Sequence, residues 1–287
     1  MRALILGAGG QVGRALLAAA PEGTEAVPLS RADCDVGDEA AVRTAVRAVR
    51  PDLVFNAAAF TAVDKAESEP DAARRLNAEA PGVIAAAARE SGARTVHVST
   101  DFVFGGPGER QRRPEDPTRP EGVYAQTKLD GEAAVRIADP DALVVRTAWV
   151  YAPTGTNFVN TMLRLMAERD EVRVVADQIG TPTWAPSLAA ALWRLAALRA
   201  SGIHHFTDAG IASWYDFAVA IAEEARAMGL IEAPARIVPI ATADYPTPAR
   251  RPAFSVLDKS ATWALLGRPA PHWRVNLRAN LQEFLNG

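Results

Sequence analysis

Short runs of apolar residues recur at regular intervals through the first half of the chain, each ended by small or hydroxylated residues. They are Ala3-Leu4-Ile5-Leu6, Ala26-Val27-Pro28-Leu29, Leu53-Val54-Phe55-Asn56, Thr95-Val96-His97-Val98-Ser99-Thr100-Asp101, and Leu143 to Val150. Four- to eight-residue runs without a polar face read as strands buried on both sides, the habit of parallel sheets. Between them the spacing turns helical: from Arg14, from Asp38 to Arg50 with acidic Asp38-Glu39 at its positive end, from Ala72, and from Ala80 to Ser91. Asp64 to Pro70 reads as a polar, acid-rich connection between such segments. Strand alternating with helix predicts an α/β chain, a doubly wound parallel sheet over residues 1–150. After Tyr151 the pattern loosens. Phe158 to Arg169, Ser187 to Ala200 and Trp214 to Met228 read as amphipathic helices, with short strands at Val172-Arg173-Val174-Val175 and Gly202 to Thr207. Residues 151–287 are therefore expected to form a smaller α/β region, with later segments returning to the first sheet.

Composition narrows the partners. The 287 residues carry a net charge of -3 and are 49% hydrophobic, which suits a globular protein and argues against a broad basic surface for nucleic acid. No apolar run reaches the ~20 residues of a membrane span, and Met1-Arg2 leads straight into a short strand rather than a signal peptide, so a cytoplasmic location is expected. Cys34 is the only cysteine and His204-His205 has no carboxylate or cysteine at ligand spacing, so neither an intrachain disulfide nor a metal site is expected.

Four stretches carry candidate chemistry. Gly7, Gly10 and Gly13 follow the first strand and open a helix. This order allows a tight turn and a close backbone approach to a pyrophosphate, with a helix N-terminus aimed at its charge, so the chain is expected to bind a dinucleotide. At the end of the second strand stand Ser30-Arg31 in place of the acidic residue that favours NAD; a serine does not repel a 2′-phosphate and an arginine can pair with one, so NADPH is expected, with NADH the alternative. Ala57-Ala58-Ala59 are small enough for a flat cofactor to lie against the backbone, and Ser99-Thr100 sit at the strand end where open α/β sheets place ligands. Tyr124 and Lys128, four apart on a helix, face one site. A neighbouring ammonium favours the phenolate, so Lys128 is expected to lower the Tyr124 pKa and make it a general acid; the same spacing also arises on exposed helices without function. His97, mid-strand among apolar residues, reads as a core histidine. Gly105 to Pro120 reads as a long loop flanking the site and moving on binding. Arg250-Arg251, in a proline-rich run, can grip phosphate or form a solvated basic turn.

The stretches Gly10-Gln11-Val12-Gly13, Asn56 to Glu67, Ser99 to Phe104, Tyr124 to Glu132 and Arg146 to Tyr151, with Asn157-Phe158, Asp177 to Thr183 and Arg251-Pro252, resemble the dTDP-4-dehydrorhamnose reductases, extended members of the short-chain dehydrogenase/reductase superfamily. The likeness spans nearly the whole chain. It implies a Rossmann-type cofactor domain and a nucleotide-sugar region, and NADPH-dependent reduction of the 4-keto group of dTDP-4-dehydro-6-deoxy-L-mannose. It implies Tyr124, Lys128 and Thr100 as catalytic residues. Gly7, Gly10, Gln11, Val12, Ser30, Arg31, Asp35, Val36, Ala58, Ala59 and Thr61 would meet the cofactor, as would Tyr124 and Lys128; Asp35 is open to reading as a loop cap. Thr61, Thr100, Asp101, Tyr124, Trp149 and Arg251 would meet a dTDP-sugar. The departures are Phe102 where relatives often have tyrosine, Phe60 for a frequent histidine, and Arg14-Ala15 where metal-bridged relatives carry glutamate. The last predicts a monomer or weak homodimer without a shared metal. Three rivals stay open: an epimerase or dehydratase, against which Phe102 after Asp101 argues; a 4-ketoreductase of another deoxysugar; and a non-catalytic nucleotide binder resembling the regulatory subunit of methionine adenosyltransferase.

Overall fold

The computed structural model describes residues 1–106 and 108–286. Its centre is a six-stranded sheet, all neighbours parallel, built from β1 (Arg2–Leu6), β2 (Glu25–Leu29), β3 (Leu53–Asn56), β4 (Arg94–Thr100), β5 (Leu143–Thr147) and a sixth strand, Gly202–His205. Across the sheet the order runs from Gly202–His205 through β5, β4, β3 and β1 to β2. The order in which strands are added reverses between β1 and β3, which opens a crevice at the strand ends. Pro28 lies in β2, at the edge, where its missing N–H interrupts no ladder.

The unbroken apolar runs are explained by two cores. Ala3, Ile5 and Phe55 face α1 (Gln11–Ala18) and the Ala185–Ala197 helix, joined there by Leu16, Leu188 and Leu192. The Trp193 indole N–H locks the two helices by donating to the Leu16 carbonyl at 2.9 Å. Leu4, Leu6 and Val54 face α2 (Glu39–Val49) and the Ala80–Glu90 helix through Val42, Val46 and Ile84. Asp38 caps α2 as its acidic start suggests, accepting from the amides of Ala40 and Ala41.

A separate core gathers residues from Tyr151 onward: the helices Phe158–Glu168, Trp214–Ala227 and Trp273–Asn286 enclose Met162, Met166, Phe217 and Leu277 beside the paired strands Glu171–Val175 and Arg236–Ile240. The sixth strand and the Ala185–Ala197 helix, although late in sequence, pack on the first sheet.

One expected connection is helical. Asp64 to Ser68 lie in a short helix, Val63–Ser68, and Pro70 opens the next turn, the first-turn position at which proline loses no hydrogen bond. That helix leads through Pro70–Arg74 to a π-helical turn at Arg75–Glu79.

Candidate active site

The glycine spacing has a steric reading in the structure. Gly7 holds φ +79°, in the left-handed region, between β1 and α1. A Cβ on Gly13 would stand 2.3 Å from the Gly7 carbonyl oxygen, so only glycine lets α1 sit flush on the loop. Gly10 caps α1 with no side-chain hydrogen bond, which leaves the first-turn amides free to receive an anion.

This loop floors a cleft of about 760 Å³ at the C-terminal ends of the strands. Of the residues singled out from the sequence, Gly7, Gly10, Gln11, Val12, Arg31, Asp35, Val36, Ala58, Ala59 and Thr61 line it, as do Thr100, Asp101, Tyr124, Lys128, Trp149 and Arg251. Ser30 does not line it. The Ser30 hydroxyl donates to Asp33 at 2.6 Å and its amide to the same carboxylate at 2.9 Å, holding the Asp33 pKa below its ordinary value. Arg31 is exposed and makes no ion pair among the described residues. Asp35 caps the Gly37 amide at 3.0 Å and stands 3.8 Å from Arg75, so the loop-cap reading and the cleft position hold together.

Tyr124 and Lys128 lie on the helix Val123–Ala138. Its start is set by Gly122 at φ +87° and by Glu67, which accepts the Val123 amide at 2.8 Å. Its side is fixed by Gly131, whose absent Cβ would lie 2.0 Å from the carbonyl oxygen of Asn77. Asn77, buried in the π-turn, bonds Phe60 both ways, accepting its amide at 2.8 Å and donating to its carbonyl at 3.0 Å. The π-turn thus pins the Ala57 to Thr61 wall against the helix that carries Tyr124.

Electrostatics at the pair differ from the expectation. Burial pushes the Tyr124 phenol up to about 12; a hydrogen bond with Thr100 pulls it down and the Asp101 charge pushes it further up. Lys128 is not among the groups acting on it. The Lys128 ammonium donates to the Val98 carbonyl at 2.8 Å, and burial lowers it to about 8 against the field of Glu132. The phenol is held as the neutral acid by desolvation, the opposite of activation by a nearby cation. Phe102, which stands where relatives often have tyrosine, packs its ring edge-on to Tyr124 at 5.4 Å.

Thr100 stands between the two. Its hydroxyl accepts the Phe102 amide at 3.2 Å, capping the turn after β4, and donates to Asp101 at 3.1 Å. Asp101 is buried and raised to about 6 by desolvation. Beneath the pair, Glu132 accepts from Ser99 at 2.5 Å and from Arg146 at 2.7 and 2.9 Å. His97 is fully buried with Nδ1 against the Asn56 amide at 3.1 Å, and burial and the Lys128 charge hold its pKa well below the ordinary value. It is a neutral core histidine.

At the other end of the cleft Trp149 adopts φ +47°, rare for a residue with a side chain, and stacks on Trp214 at 3.5 Å and 8°. A Cβ on Gly180 would strike that indole at 2.6 Å, which explains the glycine in the Asp177 to Thr183 stretch. Trp214 also lines the cleft; from sequence it was only the first residue of a helix. Arg251 is forked onto Asp64 at 2.7 and 3.1 Å and bonds Thr247, so the guanidinium is already paired. Asn157 caps its own helix and donates to Gln11 at 3.0 Å, tying the later half to the glycine loop. Cys34 lines the cleft, buried.

The loop from 105 to 120, of which Pro107 lies outside the described residues, contributes nothing to the cleft wall. It is tied elsewhere: Arg112 bonds the backbone of Val256 and Asp258 at 2.8 and 2.7 Å, and its carbonyl meets His205 Nδ1 at 3.1 Å. Among the described residues no group of three His, Cys, Asp or Glu could hold a metal, and no helix is long and apolar enough to cross a membrane.

A strand-edge cleft with a glycine-rich anion seat, a neutral phenol and a buried ammonium can hold a dinucleotide and pass a proton to a carbonyl oxygen. Comparisons with known proteins agree. The family model described as RmlD substrate binding domain matches residues 1–286. The chain is 44% identical to a dTDP-4-dehydrorhamnose reductase of Burkholderia thailandensis over the full length of both. It is similar to the crystal structure of a dTDP-4-dehydrorhamnose reductase from Clostridium acetobutylicum, with TM-score 0.93 and 37% identity over 99% of this chain and 100% of that one. A third likeness is to a Bacillus anthracis dTDP-4-dehydrorhamnose reductase solved in complex with NADP, with TM-score 0.92 and 32% identity over 98% and 99% of the two chains.

Proposed function

The chain belongs to the RmlD family of dTDP-4-dehydrorhamnose reductases, and from that premise we propose how it works: it reduces the 4-keto group of dTDP-4-dehydro-6-deoxy-L-mannose with NADPH, giving dTDP-L-rhamnose. The observation that carries the mechanism is the meeting of Tyr124, Thr100 and Lys128 in the cleft that the glycine loop floors.

The residues present fit the cofactor. The uncapped start of α1 offers amides to a pyrophosphate, Ala58 and Ala59 leave room for a flat ring, and unpaired Arg31 at the end of β2 suits a 2′-phosphate. NADPH, when bound, supplies the hydride. Tyr124 gives its proton to the C4 oxygen as negative charge develops there; Thr100 donates to the same oxygen and polarises it. Lys128 turns its ammonium to the cofactor ribose. The stacked Trp149 and Trp214 offer a flat apolar wall to the nucleotide end, and Arg251, held in place by Asp64, reaches the diphosphate. Residues 151–287, apart from the segments packed on the first sheet, form the region that selects the sugar nucleotide. The protein works in the cytoplasm, as a monomer or weak homodimer, without nucleic acid or membrane.

The test is a coupled assay. Incubated with NADPH and dTDP-4-keto-6-deoxy-D-glucose, the protein oxidises the cofactor only when a 3,5-epimerase is added. Equal oxidation without the epimerase would assign it to a different deoxysugar; none in either case would leave a nucleotide binder without catalysis.

A further inference from the structure

The 31 cationic side chains include three lysines. Lys65 is exposed and paired with Glu69 at 3.0 Å; Lys128 belongs to the cleft. Lys259 is 4% exposed and lines a second cavity of about 220 Å³, together with Gln111, Gly210, Ile211, Asp258, Ser260 and Trp263. The two cavities share no lining residue.

Lys259 is a buried cation without a partner. Among the described residues its ammonium has no hydrogen-bond acceptor and no carboxylate within 4.0 Å, and it stands 5.4 Å from the centre of the Trp263 ring. The carboxylates whose field reaches it, Asp258 and Asp208, both lie beyond 4.0 Å. Asp258 accepts the Ser260 amide and hydroxyl and faces Arg113 at 3.7 Å; Asp208 accepts the Trp184 amide at 3.0 Å. Trp263 also lines the cavity, and its Nε1 is buried with no acceptor among the described residues. The ammonium thus belongs to a cavity-lining residue and meets no acceptor among the described residues. A buried ammonium is tolerated when it is paired and hydrogen-bonded, and burial here lowers Lys259 only to about 8, so it keeps its charge at neutral pH.

We propose that this cavity is a second ligand site, in which a small oxyanion, a carboxylate or a phosphate, binds Lys259 Nζ. Its volume admits an inorganic or few-carbon anion and excludes a sugar nucleotide.

The small number of lysines makes the test clean. Full-length protein carrying lysine 13C-labelled at Cε, saturated with NADP+ to fill the first cleft, is titrated with sodium phosphate or with sodium acetate at constant ionic strength. The Lys259 resonance should move to saturation while that of Lys65 stays still. The Tm should rise with the same midpoint, because the anion binds only the folded chain. Both responses should vanish in Lys259→Met, and in Lys259→Gln should the first variant fold poorly. Saturation by phosphate alone assigns a phosphoryl ligand, and by acetate alone a carboxylate. A linear, unsaturated shift, or the same rise in Tm in the variants as in the wild type, overturns the proposal.

Discussion

Replacing Glu132 by glutamine should separate what the buried ion pair does for the fold from what it does for the chemistry. Glu132 and Arg146 have side chains 3% and 2% exposed and meet through two hydrogen bonds. Glutamine keeps the shape and deletes the charge. The guanidinium then keeps one neutral amide oxygen in place of the carboxylate, beside the Pro114 carbonyl at 3.2 Å, the Phe104 ring at 4.9 Å and neutral His205 at 3.5 Å. His205 cannot compensate, since burial and Arg146 hold its pKa down at about 3. Breaking a buried pair in this way costs about 3–5 kcal/mol. A domain of this size loses roughly 2–4 °C in Tm per kcal/mol, so thermal unfolding should come down by about 10 °C.

The second effect is on Lys128, one helical turn earlier. The Glu132 charge raises the Lys128 pKa against desolvation, and the balance stands at about 8. Without that charge Lys128 gives up its proton at lower pH, and the alkaline limb of the kcat/KM profile should move the same way. The sign is fixed: a lowered lysine pKa means that the protonated, active form is present below it and lost above it. The double variant Glu132→Met with Arg146→Met removes both charges and should recover most of the lost Tm, yet keep the displaced limb. A Glu132→Gln protein melting within about 2 °C of wild type would refute the energetics, and an unmoved limb would refute the link to Lys128.

Tyr124→Phe should bind NADPH as wild type does and lose roughly 10²–10⁴ in kcat, the usual share of a general acid; stopped-flow single turnover checks it, and a normal rate removes Tyr124 from the mechanism. Arg31→Ala should weaken NADPH about 10-fold or more and NADH hardly at all, read as the ratio of the two KM values; an unchanged ratio would show that Arg31 does not meet the 2′-phosphate. Trp214→Ala unstacks Trp149 and should raise KM for the sugar nucleotide by about 1–2 kcal/mol, roughly 5- to 30-fold, with kcat within a few-fold; a change confined to kcat would place the indole pair at the reacting carbon.

What could be read from the sequence was whatever a few neighbouring residues decide. The inner strands β1, β3 and β5 are apolar on both faces because cores lie on both faces. Gly13 is legible because the close approach it permits is local, to Gly7 and Ala8. The sixth strand reads Gly-Ile-His-His and shows no such pattern. His205 is buried there to meet Arg146 and the Arg112 carbonyl, partners 59 and 93 residues away. The same holds for Asp64 under Arg251, 187 residues apart, and for Asn77, whose π-turn has no short-range signature. The loop from 105 to 120 was composed like a lid, but its backbone is spent on Val256, Asp258 and His205. Trp214 stood at a helix start with nothing in its neighbours to say that it would stack on Trp149.

The Tyr124 and Lys128 pair also has a direction built into it. A phenol held near 12 is fully protonated at neutral pH, so the resting site is charged with the proton that reduction consumes. The reverse reaction, oxidation of an alcohol, would need the phenolate, and burial disfavours it. A weak acid is no obstacle here, because the oxygen that accepts the proton becomes an alkoxide as hydride arrives and is a far stronger base than phenolate. Asp101, close enough to raise Tyr124 and itself held at about 6, reinforces the bias: as pH rises through that value its charge appears and makes the phenolate harder still to form. Thr100 alone works the other way, and it is also the group proposed to polarise the carbonyl. A hydroxyl has one proton to give: when Thr100 turns it from Asp101 to the substrate oxygen, as proposed, it can only accept from Tyr124, so the contact that polarises the carbonyl leaves the phenol protonated until that oxygen takes its proton.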